Sequence, residues 1–194
     1  MKYKLTDETI EHEGRTLHRI EALIDFANIK KGDKGGYVER GENLSHNGDA
    51  WVWGNAKVYG NAEVYGNAEV YGNAEVYGNA EVCSNAEVCG NAEVCDNAKV
   101  YGNAEVYGNA EVYGNAEVCG NAEVCGNADY IVFKNWWSSG RYFTWTRSND
   151  MWRVGCFYGT GKELVEKAYK DSEDKGRNYE LIVNYVEQIK TQEK

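Results

Sequence analysis

The sequence predicts a mainly β protein: a solenoid of short parallel strands, preceded by a β cap and followed by a small β+α unit. Three observations carry this. Residues 52–129 are thirteen consecutive six-residue units without insertion, from Val52-Trp53-Gly54-Asn55-Ala56-Lys57 to Val124-Cys125-Gly126-Asn127-Ala128-Asp129. An internal repeat this regular marks a repeat architecture. Glycine and asparagine return in almost every unit, which breaks any run of helical turns. Six is divisible by two, so each unit sets the same residues on the same side of a strand.

Within a unit, alanine and valine sit two apart, as in Ala62 and Val64, and both can point inward. Glu63 lies between them and points out. Tyr65 points out or lies along a corner. Gly66-Asn67 is a turn signal, because both residue types tolerate positive φ. Coils then stack at about 4.8 Å around a narrow, dry interior of alanine and valine.

The flanks are built differently. Residues 1–50 read as a β hairpin, "YKLTDETIEHEGRTLHRIEAL" with Glu13-Gly14 at its turn, then a glycine-rich lead into the first coil. Residues 130–194 read as strands "YIVF", "RYFTWT" and "WRVGCFYG", with Ser148-Asn149-Asp150 joining the last two. Helices over about 162–172 and 179–190 follow. The chain thus divides into 1–50, 51–129 and 130–194. Both flanks can serve as caps, since an open coil exposes unpaired strand edges.

The unit Val-Tyr-Gly-Asn-Ala-Glu resembles the hexapeptide repeat of left-handed β-helix proteins, an aliphatic residue followed four positions later by a small one. The resemblance implies a triangular prism with three units, eighteen residues, per coil. It covers 52–129 and, more loosely, 41–45 and 48–51. Glycine stands two places after the aliphatic residue here, where the commoner pattern has it one place after. The whole chain also resembles bacteriophage and prophage hexapeptide-repeat proteins, in which a start like "LHRIEALIDFANIKKGDKGGYVERGENLS" precedes "GNAxV" repeats and a tail like "GCFYGT" precedes a helix.

With eighteen residues per coil, side chains fall into columns. Glu69, Glu87, Glu105 and Glu123 form one. Glu75, Glu93, Glu111 and Asp129 form a second, with Lys57 at its base. The third is Glu63, Glu81, Lys99 and Glu117. Carboxylates about 4.8 Å apart repel by roughly a kcal/mol or less per adjacent pair in water. Such columns are either a solubilising product of duplication or an acidic binding face for a basic protein groove, in the manner of a nucleic-acid mimic. Cys83, Cys89, Cys95, Cys119 and Cys125 occupy the tyrosine position with tyrosines stacked between them, so they and Cys156 are expected as free thiols, with no metal site and no disulfide frame.

Charge narrows the function classes. The chain has a net charge of −10, and all of it belongs to the repeats, whose ten glutamates and two aspartates face only Lys57 and Lys99. This argues against direct binding to nucleic acid or anionic membrane. No apolar run is long enough for a membrane span and the charged start is no signal peptide, so a cytoplasmic location, within a host bacterium, is expected. Acyltransferases resembling this repeat use a histidine on the coils and a protruding loop. Here His12, His18 and His46 all precede the perfect repeats, and no nucleophile is paired with a base.

The tail is rich in tryptophan and arginine, the composition of an interface hot spot. Trp136, Trp137, Arg141, Trp145, Arg147 and Trp152 are its candidates, as interface or as core beneath the helices. The reading is therefore a non-catalytic phage-type binding or assembly protein without cofactor. It would inhibit a host nucleic-acid-handling or defence factor through Glu69, Glu87, Glu105, Glu123, Glu75, Glu93 and Glu111, or through the tail. The prism could also pack as a dimer or trimer. The rival reading is an acyltransferase-like enzyme with an inter-subunit site using His46 or the tail.

Overall fold

A computed structural model describes residues 1–135 and 140–192. It is a β-solenoid of triangular cross-section with eighteen residues per coil. Val58, Val76, Val94 and Val112 pair in parallel register along one face. Val64, Val82, Val100 and Val118 pair along the second. Val52, Val70, Val88, Val106 and Val124 pair along the third. We name these the Glu75, Glu81 and Glu87 faces. From Ala50 to Val124 every alanine and valine of the repeats is buried in one continuous core.

Each corner is a tight turn in which alanine N–H donates to the carbonyl three residues back, as from Ala74 to Tyr71 (3.4 Å). The glycine is the first central residue of that turn and has positive φ, +74° at Gly72. The asparagines do not share this conformation, contrary to the sequence reading. They build ladders on the outside instead, Asn61 to Asn79 to Asn97 at 3.0 Å per step and likewise Asn67 to Asn85 to Asn103 to Asn121. Where glycine is replaced, Ser84 and Asp96 still take φ of +63° and +60°, so the turn overrides the preference of the residue.

The coils have a polarity that explains both caps. Glu93 N–H donates upward to Ala110 C=O of the next coil (2.9 Å), and each coil does the same. The first coil is left with downward carbonyls at the alanine positions, the last with upward amides at the glutamates. At the N-terminal end Lys2 Nζ donates to Ala50 C=O (2.7 Å), Asn43 Nδ2 to Ala62 C=O (2.8 Å), and Tyr37 N–H to Ala56 C=O (2.9 Å). At the C-terminal end Glu111 N–H donates to Asn127 Oδ1 (2.8 Å), Glu117 N–H to Thr144 Oγ1 (2.9 Å), and Glu123 N–H to Ser148 Oγ (2.7 Å). Three donors close one end and three oxygens the other, which satisfies the edges.

The hairpin of strands Tyr3–His12 and Arg15–Ala22 turns at Glu13-Gly14 and continues through strand Lys34–Val38 into the Glu75 face. The first coil therefore starts within the lead-in. Trp51, in register with Glu69, plugs the prism from inside against Tyr3 and Phe26.

At the other end Asp129 leaves the Glu111 column. The chain turns out of the prism at Asn127, and the Asp129 carboxylate accepts from the N–H groups of Cys125 and Gly126 (2.9 Å each). The strands Tyr130–Lys134, Tyr142–Thr146, Met151–Val154 and Phe157–Gly159 then form an antiparallel meander. The segment "WRVGCFYG" is thus two strands, broken at Gly155 (φ +58°). One side of the meander closes the last coil. The other side, with Phe143, Trp145, Trp152 and Val154, packs under helices α1 (Gly161–Asp171) and α2 (Glu173–Gln192).

Thr160 caps α1 in a capping box with Glu163. Helix α2 begins six residues earlier than its sequence pattern suggests. Gly176 weakens that pattern but is needed there, because a Cβ would lie 2.2 Å from the Tyr169 ring.

Candidate functional site

The outward side chains of the repeat are tied to one another by an offset invisible within one unit. A tyrosine hydroxyl donates to the glutamate sixteen residues ahead, on the coil above: Tyr59 to Glu75 (2.9 Å), Tyr65 to Glu81 (3.1 Å), Tyr71 to Glu87 (2.7 Å), Tyr77 to Glu93 (2.8 Å) and Tyr101 to Glu117 (3.1 Å). Tyr107 reaches Glu123 at 3.5 Å, and Trp53 Nε1 serves Glu69 at 3.0 Å. Where cysteine replaces tyrosine the rung is lost. Glu105 and Glu111, above Cys89 and Cys95, are accordingly exposed, whereas Glu87 and Glu93 are half-buried.

This packing shapes the tyrosines. A hydrogen bond with Cys89, then burial and Glu87, push the Tyr71 hydroxyl well above its usual value. Burial, ahead of the partners Cys95 and Glu93, does the same to Tyr77. All six cysteines are free thiols. Tyr65, Cys83, Tyr101 and Cys119 alternate up one corner, as the eighteen-residue register requires.

The three acidic faces are not equivalent. On the Glu75 face, Glu75 accepts from His12 Nε2 (2.9 Å), Lys57 Nζ (2.8 Å) and Tyr59. Burial raises its carboxyl, but these three partners outweigh it and hold it below the ordinary range. The hairpin carrying His12 lies over the lower part of this face. On the Glu81 face, Lys99 pairs with Glu81 (2.8 Å) and Arg153 with Glu117 (3.0 Å), so both cations interrupt the acidity. On the Glu87 face, Glu69, Glu87, Glu105 and Glu123 form no ion pair among the described residues. Four carboxylates in register span about 14 Å there with no ion pair from a described residue.

The tail candidates separate into three groups. Trp145 (4% exposed) and Trp152 (0%) belong to the core beneath the helices. Of the two readings, interface or core, these two residues take the second: alternation along their strands turns both toward α1 and α2. Arg141 and Arg147 are exposed. Trp136 and Trp137 lie outside the described residues. A further element that the sequence did not reveal is an open apolar groove of about 910 Å³, where Leu181 and Tyr185 of α2 flank Phe133.

The histidines are engaged in the cap. His18 Nδ1 lies 3.1 Å from Thr6 C=O within the hairpin. His46 packs against Tyr3 with the rings tilted by 33° and 4.5 Å apart, and accepts from Lys2 N–H at Nδ1 (3.3 Å). Burial, with the N-terminal ammonium and Lys2, lowers its pKa. It borders an open depression of about 830 Å³ that also contains Ser45, Glu42 and Glu63. Among the described residues no group of three histidine, cysteine or acidic side chains is placed to hold a metal, and no helix is long and apolar enough to cross a membrane. The chain matches no family model and none of the curated proteins with which it was compared.

Proposed function

We propose that this chain is a non-catalytic binding protein of phage type that engages a basic protein surface through the Glu87 face. The single observation that carries the reading is the inequality of the three faces. One is overlaid at its lower part by the hairpin, with Glu75 paired to Lys57 and bonded to His12, one is interrupted by Lys99 and Arg153, and one keeps four carboxylates without an ion pair among the described residues. Solubility alone needs charge anywhere on the surface, whereas recognition needs it in a pattern. A rigid row of carboxylates suits a protein groove built for phosphate, and hence a nucleic-acid-handling or defence factor as the target.

The test replaces Glu69, Glu87, Glu105 and Glu123 with glutamine and compares this variant with Glu93→Gln/Glu111→Gln. The proteins that co-purify with the tagged chain are identified, and their affinity is followed against salt. The first variant should lose affinity and flatten the salt dependence while the second retains both. Equal binding by both variants would overturn the reading. Folding should be close to neutral: relief of repulsion is offset by weakening the hydrogen bonds from Trp53, Tyr71 and Tyr107.

A further inference from the structure

The tyrosine–glutamate rungs stop at one corner, and what is left there differs from the rest of the rod. Tyr113 is due to donate to position 129, but Asp129 has turned away to hold the N–H groups of Cys125 and Gly126. Tyr113 is 53% exposed, its ring rests edge-on to Tyr130 (6.4 Å), and its hydroxyl has no hydrogen-bond partner among the described residues. The asparagine ladder of the same corner ends at Asn97, so the Asn115 amide directly above is also unengaged. Asn127 uses only its Oδ1, on Glu111 N–H, and keeps its Nδ2 free to donate. No coil lies above: a Cβ built on Gly114 meets nothing within 4 Å, whereas one on Gly72 would lie 3.0 Å from the next coil.

These groups converge on one cleft of about 400 Å³, between the last coil and the first two strands of the meander. Tyr113, Tyr130 and Tyr142 supply aromatic walls, Val132 an apolar floor, and Asn115 and Asn127 the polar edge. Its volume falls within the roughly 300–1,000 Å³ of small-molecule sites. Among the described residues none that lines it is charged, although the protein as a whole is strongly acidic; Lys134, cross-strand from Tyr142, keeps its Nζ over the Tyr142 ring, 5.5 Å from the centroid. Two larger, more open depressions do carry charge, Asp174 and Arg177 in one, Glu42 and Glu63 in another.

We infer that this cleft binds a neutral sugar. A ligand here has to present an apolar face to a half-exposed tyrosine ring. It must also offer groups that both donate and accept, because an uncommitted phenol and carboxamide do both. A pyranose meets both demands, through its C–H face and its hydroxyls. Phosphates and carboxylates find no cation among the described lining residues, and the Lys134 ammonium is engaged over the Tyr142 ring. A polyproline stretch would satisfy the rings but, lacking N–H groups, offers acceptors only, leaving the Asn115 carbonyl without a donor. The site is independent of the Glu87 face, which lies on another side of the prism.

The test follows the side-chain amide resonances of Asn115 and Asn127 by NMR in the intact protein. The probes are glucose, galactose, N-acetylglucosamine and their β-linked disaccharides, with sialyllactose and a proline-rich peptide alongside. At least one neutral sugar should shift both amides saturably. Tyr113→Ala should weaken that binding about tenfold, through the lost aromatic contact, and Asn115→Ala should weaken it several-fold. Neither residue holds a rung of the ladder, so Asn115→Ala should melt as the parent does and Tyr113→Ala, which also loses its edge contact with Tyr130 (6.4 Å), should melt only slightly lower and remain folded. Silence from every neutral sugar, equal binding of sialyllactose, binding of the peptide instead, or affinity that survives Tyr113→Ala would each overturn the inference.

Discussion

Two alanine substitutions at the same kind of turn should separate backbone strain from coil stacking. Gly72 and Gly114 have nearly the same φ, +74° and +69°. A Cβ at Gly72 would lie 3.0 Å from Gly90 C=O and 3.1 Å from Gly90 N, whereas at Gly114 it meets only solvent. Left-handed backbone costs alanine about 1–2 kcal/mol, and reduced freedom of the unfolded chain returns about 0.4–1 kcal/mol. Gly114→Ala should therefore lose about 1 kcal/mol. Gly72→Ala adds crowding within a packed stack, typically about 1–3 kcal/mol, for a total of about 2–4 kcal/mol. At about 2–4 °C per kcal/mol for a chain of this size, Gly72→Ala should melt several degrees below Gly114→Ala, with the same order in urea midpoints. Equal losses would refute the claim that successive coils touch through their glycines.

Two further outcomes follow from the caps and rungs. Thr144 is buried and is the acceptor for Glu117 N–H, so Thr144→Val should cost about 1–3 kcal/mol by leaving that amide unsatisfied; Ser148→Ala, at an exposed position where water can substitute, should cost under about 0.5 kcal/mol in the same urea titration. Tyr59, Tyr71, Tyr77 and Tyr101 are held protonated beyond their ordinary pKa by burial and by thiol and carboxylate neighbours. Their contribution is fully present below about pH 10, the unfolded value, and is lost as pH rises further, since the unfolded chain then releases protons that the folded chain retains. Tyrosinate absorbance should appear together with alkaline unfolding; a full tyrosine titration in the folded state would contradict this.

The inside of this protein is legible from its letters and the outside much less so. Alanine and valine two apart, with glycine marking each turn, specify a strand and a corner within six residues, and Glu13-Gly14 marks the hairpin. The tyrosine–glutamate rung has no signature in a unit, because the partners are sixteen residues apart and become neighbours only once the coil length is known. The caps are hidden for a related reason: Lys2, Asn43, Thr144 and Ser148 each replace one strand contact and share no pattern. Gly176 masked the start of α2. The inequality of the three acidic faces was half visible, since Lys57 and Lys99 stand out in the repeat, but His12 and Arg153 reach their columns from distant segments through tertiary packing.

Recognition of a basic partner by one face of the prism is open to site-specific photo-crosslinking. A photoreactive residue is placed at position 105 on the Glu87 face, at 93 on the Glu75 face or at 81 on the Glu81 face, and cross-linking is carried out in the cells that make the protein. The account predicts one cross-linked protein from position 105, abolished when Glu69, Glu87 and Glu123 are glutamine, and none from 93 or 81. The same product from all three faces, or from none while a photoreactive residue at Tyr185 captures it, would contradict the account.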